Sequence, residues 1–283
     1  MSYHTTATEA RKKILELIYK AQTSHIGSNF SCVDLMTVLF DKIDLDKDKF
    51  ILSAGWKAAA LYYFLWKKGR ITEEQLNSYC QEGSEFIGLA EPIHPDIPFA
   101  GGSMCMGIAA GVGFALAKKL KNEEGTIYVL ESDGALQGGI TWEAALIASR
   151  FRLNNLIVIV DYNQFQAMGR ITKILPIEPL VDKWLSFGWK VMDINGHDFD
   201  SIKLIWEEDI NGIYVPGAGA MPLGAVGMMP SIRDETLKFK PLVVIANTIK
   251  GKGIPKWENN NLWHYAQIKE DDYKYALSCL KHA

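Results

Sequence analysis

The stretch IYVLESDGALQGGITWEAALIASRFRLNNLIVIVDYNQF, residues 127–165, constrains the fold more than any other part of the chain. An apolar, β-branched run breaks at Ser132-Asp133-Gly134, a helical pattern follows over about 140–150, and a second apolar run stops at Asp161-Tyr162-Asn163. Short runs that are apolar throughout are strands buried on both faces, and two of them joined by a helix make a parallel β-α-β unit. Strands are predicted at 50–53, 127–131, 155–160, 189–194 and 241–247, separated mostly by helical patterns, among them 5–22, 32–42, 56–68 and 73–80. Ala10, Ile14, Ile18 and Ala21 line one face of the first helix, which should end in a polar loop over 24–28. Thr72 with Gln75 three places on marks a capping box at the start of the last. The expected class is α/β: a mostly parallel sheet with helices on both faces.

Composition narrows the function. At 283 residues the chain can bury a core without disulfides or metals. No repeat or linker divides it, so a single domain over 1–283 is expected. The segment 211–234, rich in Gly, Pro and Met and without either periodicity, reads as a long irregular loop: a surface insertion, or a cover or partner contact for a site. A net charge of −3 gives no reason to expect nucleic acid or an anionic membrane as partner, which leaves small molecules and other proteins. The four cysteines, Cys32, Cys80, Cys105 and Cys279, form no CxxC pair. A reducing compartment fits them, and with no signal-like N-terminus or membrane-length apolar run the expectation is cytoplasmic.

The break at 132–134 carries the chemistry. In an open parallel sheet ligands bind beyond the carboxyl ends of the strands, where loops run into helix N-termini. Asp133 sits at one such end, Gly134 would permit a tight turn, and the helix that follows offers free N–H groups to an anion. Asn163 closes the next strand, so one β-α-β unit brings both side chains to a single rim. A carboxylate, an amide oxygen and a nearby backbone carbonyl are hard oxygen donors of the kind that hold Mg²⁺ or Ca²⁺ already carrying phosphate oxygens. The structural alternative makes Asp133 a turn or cap residue and Asn163 a turn former.

SDGALQGGITWEA followed by LNNLIVIVDYN resembles the thiamine-diphosphate signature of transketolases: GDG, then LQEG, WEA, and a strand ending in D-x-N. SHIGSNFSCVDL, FILSAGWKAAALY, IHPD, GSMCMGIAAGVGFALA, the NGHD at 195–198 and NTIKGKGIPKWENNNLWH at 247–264 match further family segments in order. Full transketolases are about twice as long. The resemblance therefore implies the N-terminal subunit of a two-component enzyme, working with a separate chain that supplies the pyrimidine-binding and C-terminal parts, in an α2β2 assembly.

The resemblance implies roles residue by residue. Thiamine diphosphate and Mg²⁺ (or Ca²⁺) would be the cofactors, with Asp133, Asn163 and the Phe165 carbonyl as metal ligands. Gly102, Ser103 and Met104 match the turn that approaches the aminopyrimidine, although Gly102-Ser103 also reads as a helix start. Ser132 and Gly134 flank the metal aspartate, and Lys250 matches a basic residue near the mouth of the site. His25, His94 and His264 match the three histidines around the reacting carbon and hydroxyls of a small-molecule substrate, free or carrier-bound. Glu143 matches a glutamate near the subunit interface; an exposed helix residue is the competing reading. His197 reads as a turn histidine that could make a structural bond.

Departures from the pattern fall in the site. Trp56 stands where the family has a histidine on the diphosphate, Ser132 where it has the first glycine of GDG, Gly138 where it has the glutamate of LQEG, and Cys105 and Met106 where it has Gly-Gln. These changes point to an altered substrate for a two-carbon ketol or acyl transfer. Two other readings stand beside it: the α subunit of a 2-oxoacid dehydrogenase, whose signature usually ends in Asn-Asn rather than DYNQ, and a non-catalytic partner subunit.

Overall fold

The computed structural model describes residues 2–102, 104–207 and 238–281; the predicted loop 211–234, like Ser103, lies outside them. In chain order come α1 (Tyr3–Ala21), α2 (Ile26–Ser31), α3 (Val33–Lys42), β1 (Lys49–Leu52), α4 (Ala58–Lys67), α5 (Glu73–Asn77), α6 (Met106–Lys121) and β2 (Ile127–Ser132). There follow α7 (Gly139–Arg150), β3 (Leu156–Tyr162), the two-residue strands β4 (Phe165–Gln166) and β5 (Gly169–Arg170), α8 (Ile171–Ile174), α9 (Leu180–Ser186), β6 (Lys190–Asn195), α10 (Phe199–Lys203), β7 (Leu242–Asn247) and α11 (Glu270–Lys281).

Five strands pair in parallel in the order β1-β2-β3-β7-β6. The alternation of side chains sends Tyr128 and Leu130 of β2 into one core, shared with α1, α3 and α4. Ile127 and Val129 go into the other, shared with α6, α7 and α9. Both faces are thus covered, which is why the strands read as unbroken apolar runs in the sequence. The α/β class and its helix-covered parallel sheet are as expected. Thr72 caps α5 as foreseen, with its hydroxyl accepting the Gln75 N–H and the Gln75 side chain accepting the Thr72 N–H.

Several local expectations are corrected. The loop foreseen at 24–28 turns almost at once into α2, because Ile26 and Phe30 are apolar enough to bury a short helix under α1. The helix expected over 73–80 stops at Asn77, and Cys80 takes a left-handed φ of 51° that no helix continues through. Helix α6 begins only at Met106, with Cys105 as its left-handed N-cap, so Gly102 is not its start.

Candidate active site

Four strand ends converge on one edge of the sheet. Beyond β1 lie Ser53 to Lys57, beyond β2 the 3-10 turn Asp133–Gln137, beyond β3 Asn163 to Phe165, and beyond β7 Thr248 to Lys250. This is the edge at which ligands bind in such sheets.

Asp133 is buried there. Its Oδ1 accepts the Gly134 N–H at 2.8 Å and its Oδ2 accepts the Gln164 N–H at 2.5 Å. The second bond ties the turn after β3 to the turn after β2, and so brings Asn163 to the same rim as Asp133. Asn163 donates through Nδ2 to Asp161 Oδ2 at 3.2 Å, and its Oδ1 accepts the Phe165 N–H at 3.1 Å. Burial, and then the Asp161 charge, push the Asp133 carboxyl up to about 7. Gly134 needs no positive φ, and a Cβ there would make only an ordinary 3.4 Å contact with Gln166, so the tight turn does not depend on it.

Behind this rim sits a pair that the motif reading did not assign. Lys57 Nζ lies 2.6 Å from Asp161 Oδ2, and both side chains are buried. Burial alone would discharge each, but their mutual attraction keeps Lys57 raised and Asp161 low. The Ser31 hydroxyl at 2.5 Å and the Thr248 hydroxyl also donate to Asp161. A charge at the end of an otherwise apolar strand was the available signal, since Asp161 closes the run LIVIV. One strand over, Glu131 is pushed up to about 7 by burial and accepts the Ser53 hydroxyl at 2.6 Å.

The residues at the rim fit a hard divalent cation. Among the described residues no group of three or more His, Cys, Asp or Glu side chains forms a metal cage. Among the described residues no salt bridge joins Asp133 to a cation, and Lys57 beside it pairs with Asp161. One carboxylate and one amide oxygen are too few to enclose an ion, but they suit Mg²⁺ or Ca²⁺ that brings further oxygens on a phosphate.

Next to the rim stands an aromatic and basic wall. Lys250, buried, donates to Asn261 Oδ1 at 3.1 Å and to His264 Nδ1 at 2.6 Å. Its Nζ lies 5.8 Å from the centre of the Phe165 ring, which joins the wall to the rim. The His264 carbonyl accepts the His25 N–H at 3.0 Å, and the two imidazoles meet edge to face at 4.9 Å. His25 stacks on Trp56, with rings 5.3 Å apart and 11° from parallel. Buried Asn29 sets that stack by donating to both the His25 carbonyl at 3.0 Å and the Trp56 carbonyl at 3.1 Å. Burial and then the Lys250 charge hold His25 down at about 4 and His264 at about 3; burial brings Lys250 down to about 8.

His94 is not part of this wall: its Nδ1 accepts the Asp96 N–H at 3.2 Å, and no ring contact joins it to His25 or His264 among the described residues. Gly101 lies against the backbone of Gly55, with which a Cβ would collide, whereas at Gly102 a Cβ would press only on Leu89. Met104 is 53% exposed beside that turn. Ser132 is half-buried at the end of β2, and Glu143 is exposed on α7.

Residues 3–209 match the family model described as the thiamine-diphosphate-binding domain of transketolase. The chain belongs to this family. It is 30% identical over 276 residues to one of the subunits of the apulose-4-phosphate transketolase of Phocaeicola vulgatus, covering 94% of this chain and 89% of that one. With the 6-deoxy-6-sulfo-D-fructose transketolase subunit SqwG of a Clostridium species it shares 32% over 290 residues, covering 97% and 94%. Among solved structures, the transketolase of Campylobacter jejuni superposes with a TM-score of 0.82 at 26% identity over 99% of this chain. This chain spans 43% of that protein's length. Among the described residues no helix is long and apolar enough to cross a membrane.

Proposed function

We propose that this chain, as a single diphosphate-binding domain, is one subunit of a two-component transketolase-like enzyme. It binds thiamine diphosphate through Mg²⁺ (or Ca²⁺) and transfers a two-carbon ketol or acyl unit from a ketose or 2-oxo donor to an acceptor. The observation that carries the reading is the bond from the Gln164 N–H to Asp133, which sets Asp133 and Asn163 on one rim. A separate pyrimidine-binding subunit is supported by lengths: relatives named as transketolase subunits are matched over 89–94% of their length, the one-chain enzyme over 43%.

Asp133, the Asn163 amide oxygen and the Phe165 carbonyl would hold the metal, and the metal the diphosphate. The cofactor, when bound, supplies a carbanion that adds to a ketone and then stores the resulting charge. Lys57 and Asp161 keep the floor of the site neutral as a pair, which leaves the Asp133 carboxylate without a salt bridge for the added cation to displace. His264, kept neutral by burial and with Nδ1 taken by Lys250, has Nε2 left to donate to a developing alkoxide. His25 and Trp56 present a flat apolar face beside it, which suits a substrate segment rich in C–H groups.

Calorimetry on the complex of this chain with its partner subunit tests the proposal. Thiamine diphosphate should bind in the presence of Mg²⁺ and fail to bind once EDTA is added, and Asp133→Ala should weaken binding at least about 100-fold. Binding that ignores both EDTA and Asp133→Ala would overturn the metal rim.

A further inference from the structure

One histidine outside the candidate site is bonded on both ring nitrogens. His197, in the turn after β6, approaches Asp34 of α3 with Nδ1 to Oδ2 at 2.7 Å. The backbone N–H of Ile249 reaches its Nε2 at 2.8 Å. A backbone N–H can only donate, so Nε2 is an acceptor, and the ring proton sits on Nδ1, pointing at the carboxylate. Asp34 is itself held by a buried fork: Arg11 Nη1 to Oδ1 at 2.9 Å and Nη2 to Oδ2 at 2.7 Å, with Nη2 also donating to the Phe30 carbonyl at 3.4 Å. Arg11 and its charge hold Asp34 at about 2 against the effect of burial, so the carboxylate is present at any working pH.

The residue pinned by this chain of bonds precedes Lys250. Its neighbours are tied as well. The Asn247 side chain donates to the Ile194 carbonyl at 3.1 Å, the Thr248 N–H to the Tyr162 carbonyl at 3.2 Å, and the Gly251 N–H to the Gly27 carbonyl at 2.9 Å. Of the backbone N–H groups among these ties, that of Ile249 goes to a side chain, the His197 ring, whose orientation Asp34 sets. We infer that His197 is a positioning residue: fixed by Asp34 as the Nδ1–H tautomer, it clamps the Ile249 N–H and so sets where Lys250 and, through it, His264 stand in the cleft. The clamp follows from geometry alone; its effect on turnover rests on the proposed function.

Nitrogen-15 NMR of the histidine-labelled chain in complex with its partner subunit reads the tautomer without any substitution. His197 should show a protonated Nδ1 and a bare Nε2; a proton on Nε2 overturns the inference. Hydrogen exchange of the 247–251 peptide should quicken about 10- to 100-fold in His197→Ala and return to within about threefold of wild type in His197→Gln, whose amide can accept and donate at once. Unchanged exchange in His197→Ala overturns it as well. In the cofactor-loaded complex, kcat should fall about 10- to 100-fold in His197→Ala, with thiamine diphosphate affinity and KM within about threefold and with rescue by Gln. Wild-type kcat in His197→Ala removes the link to the site. Should the wild-type complex bind no thiamine diphosphate, the proposed function fails, while the tautomer and exchange results still decide the clamp.

Discussion

The rim and the wall of this cleft lie side by side but are built on opposite electrostatic plans. The rim buries carboxylates: Asp133 and Glu131 are each raised to about 7, and Asp161 is kept ionised by Lys57. The wall buries bases: His25 and His264 are lowered to about 4 and 3. Desolvation drives both sets and disfavours whichever form carries charge. A rim of this kind gains from an arriving cation, whereas the wall offers neutral imidazoles and an apolar face beside the ammonium of Lys250. On the proposed function the difference divides the labour: the rim would take a metal with its anion, and the wall would face an uncharged substrate.

Breaking the rim's internal compensation should have the largest effect. Lys57→Met leaves Asp161 buried beside the raised Asp133 without its ion-pair partner, and losing one member of such a pair costs about 3–5 kcal/mol. Urea unfolding should show this loss, and Lys57→Met with Asp161→Asn should recover part of it, because the hydroxyls of Ser31 and Thr248 can still bond an amide. Equal stability of the single and double variants would mean that the pair does not neutralise the rim. On the wall the corresponding change is milder. Asn29→Ala unties His25 from Trp56 and leaves the Ala60 N–H without its acceptor, for about 1–3 kcal/mol in the same assay. Trp56 fluorescence should then report a loosened stack.

The two regions should also respond to pH in opposite senses. The folded value for Asp133 lies above the usual 3.8, so its share of stability is fully present below pH 3.8 and is lost as the pH rises through about 7. For His264 the folded value lies below the usual 6.5, so its share is full above pH 6.5 and is lost as the pH falls through about 3. Between pH 4 and 6.5 the two slopes oppose each other in the cofactor-free chain. Asp133→Asn should therefore gain in Tm over wild type as the pH rises across that range, and His264→Asn should gain as it falls. Parallel curves for the two variants would end the comparison.

Much of this was legible beforehand. The apolar runs gave all five sheet strands to within a residue or two, because a strand buried on both faces admits hardly anything else. Asp133 and Asn163 stand out in the sequence because each closes such a run. What escaped was set by contacts distant in sequence. Lys57 looks like a helix-start lysine until β3 places Asp161 against it. His197 looks like a turn residue until Asp34 and Ile249 close on it from two elements. His94 was matched by its motif to the other histidines, but its loop turns it to Asp96 instead.

The smallest expected effect concerns two departures from the family pattern that look independent in sequence. Cys105 holds a left-handed φ of 65° at the N-cap of α6, and a Cβ built on Gly138 would run into its sulfur. Each residue thus accounts for the other: with a cysteine at 105, position 138 has no room for a side chain. Cys105→Gly should stabilise the chain by about 1 kcal/mol, the relief of left-handed strain exceeding the extra freedom that glycine gains in the unfolded chain. Gly138→Ala should cost about 1–3 kcal/mol in the wild type and clearly less after Cys105→Gly. Purely additive costs for the two changes in thermal unfolding would show that the sulfur does not fill the space at 138. Non-additivity would show that the rim was rebuilt as a unit, with the cysteine taking the room that the resemblance gives to a glutamate.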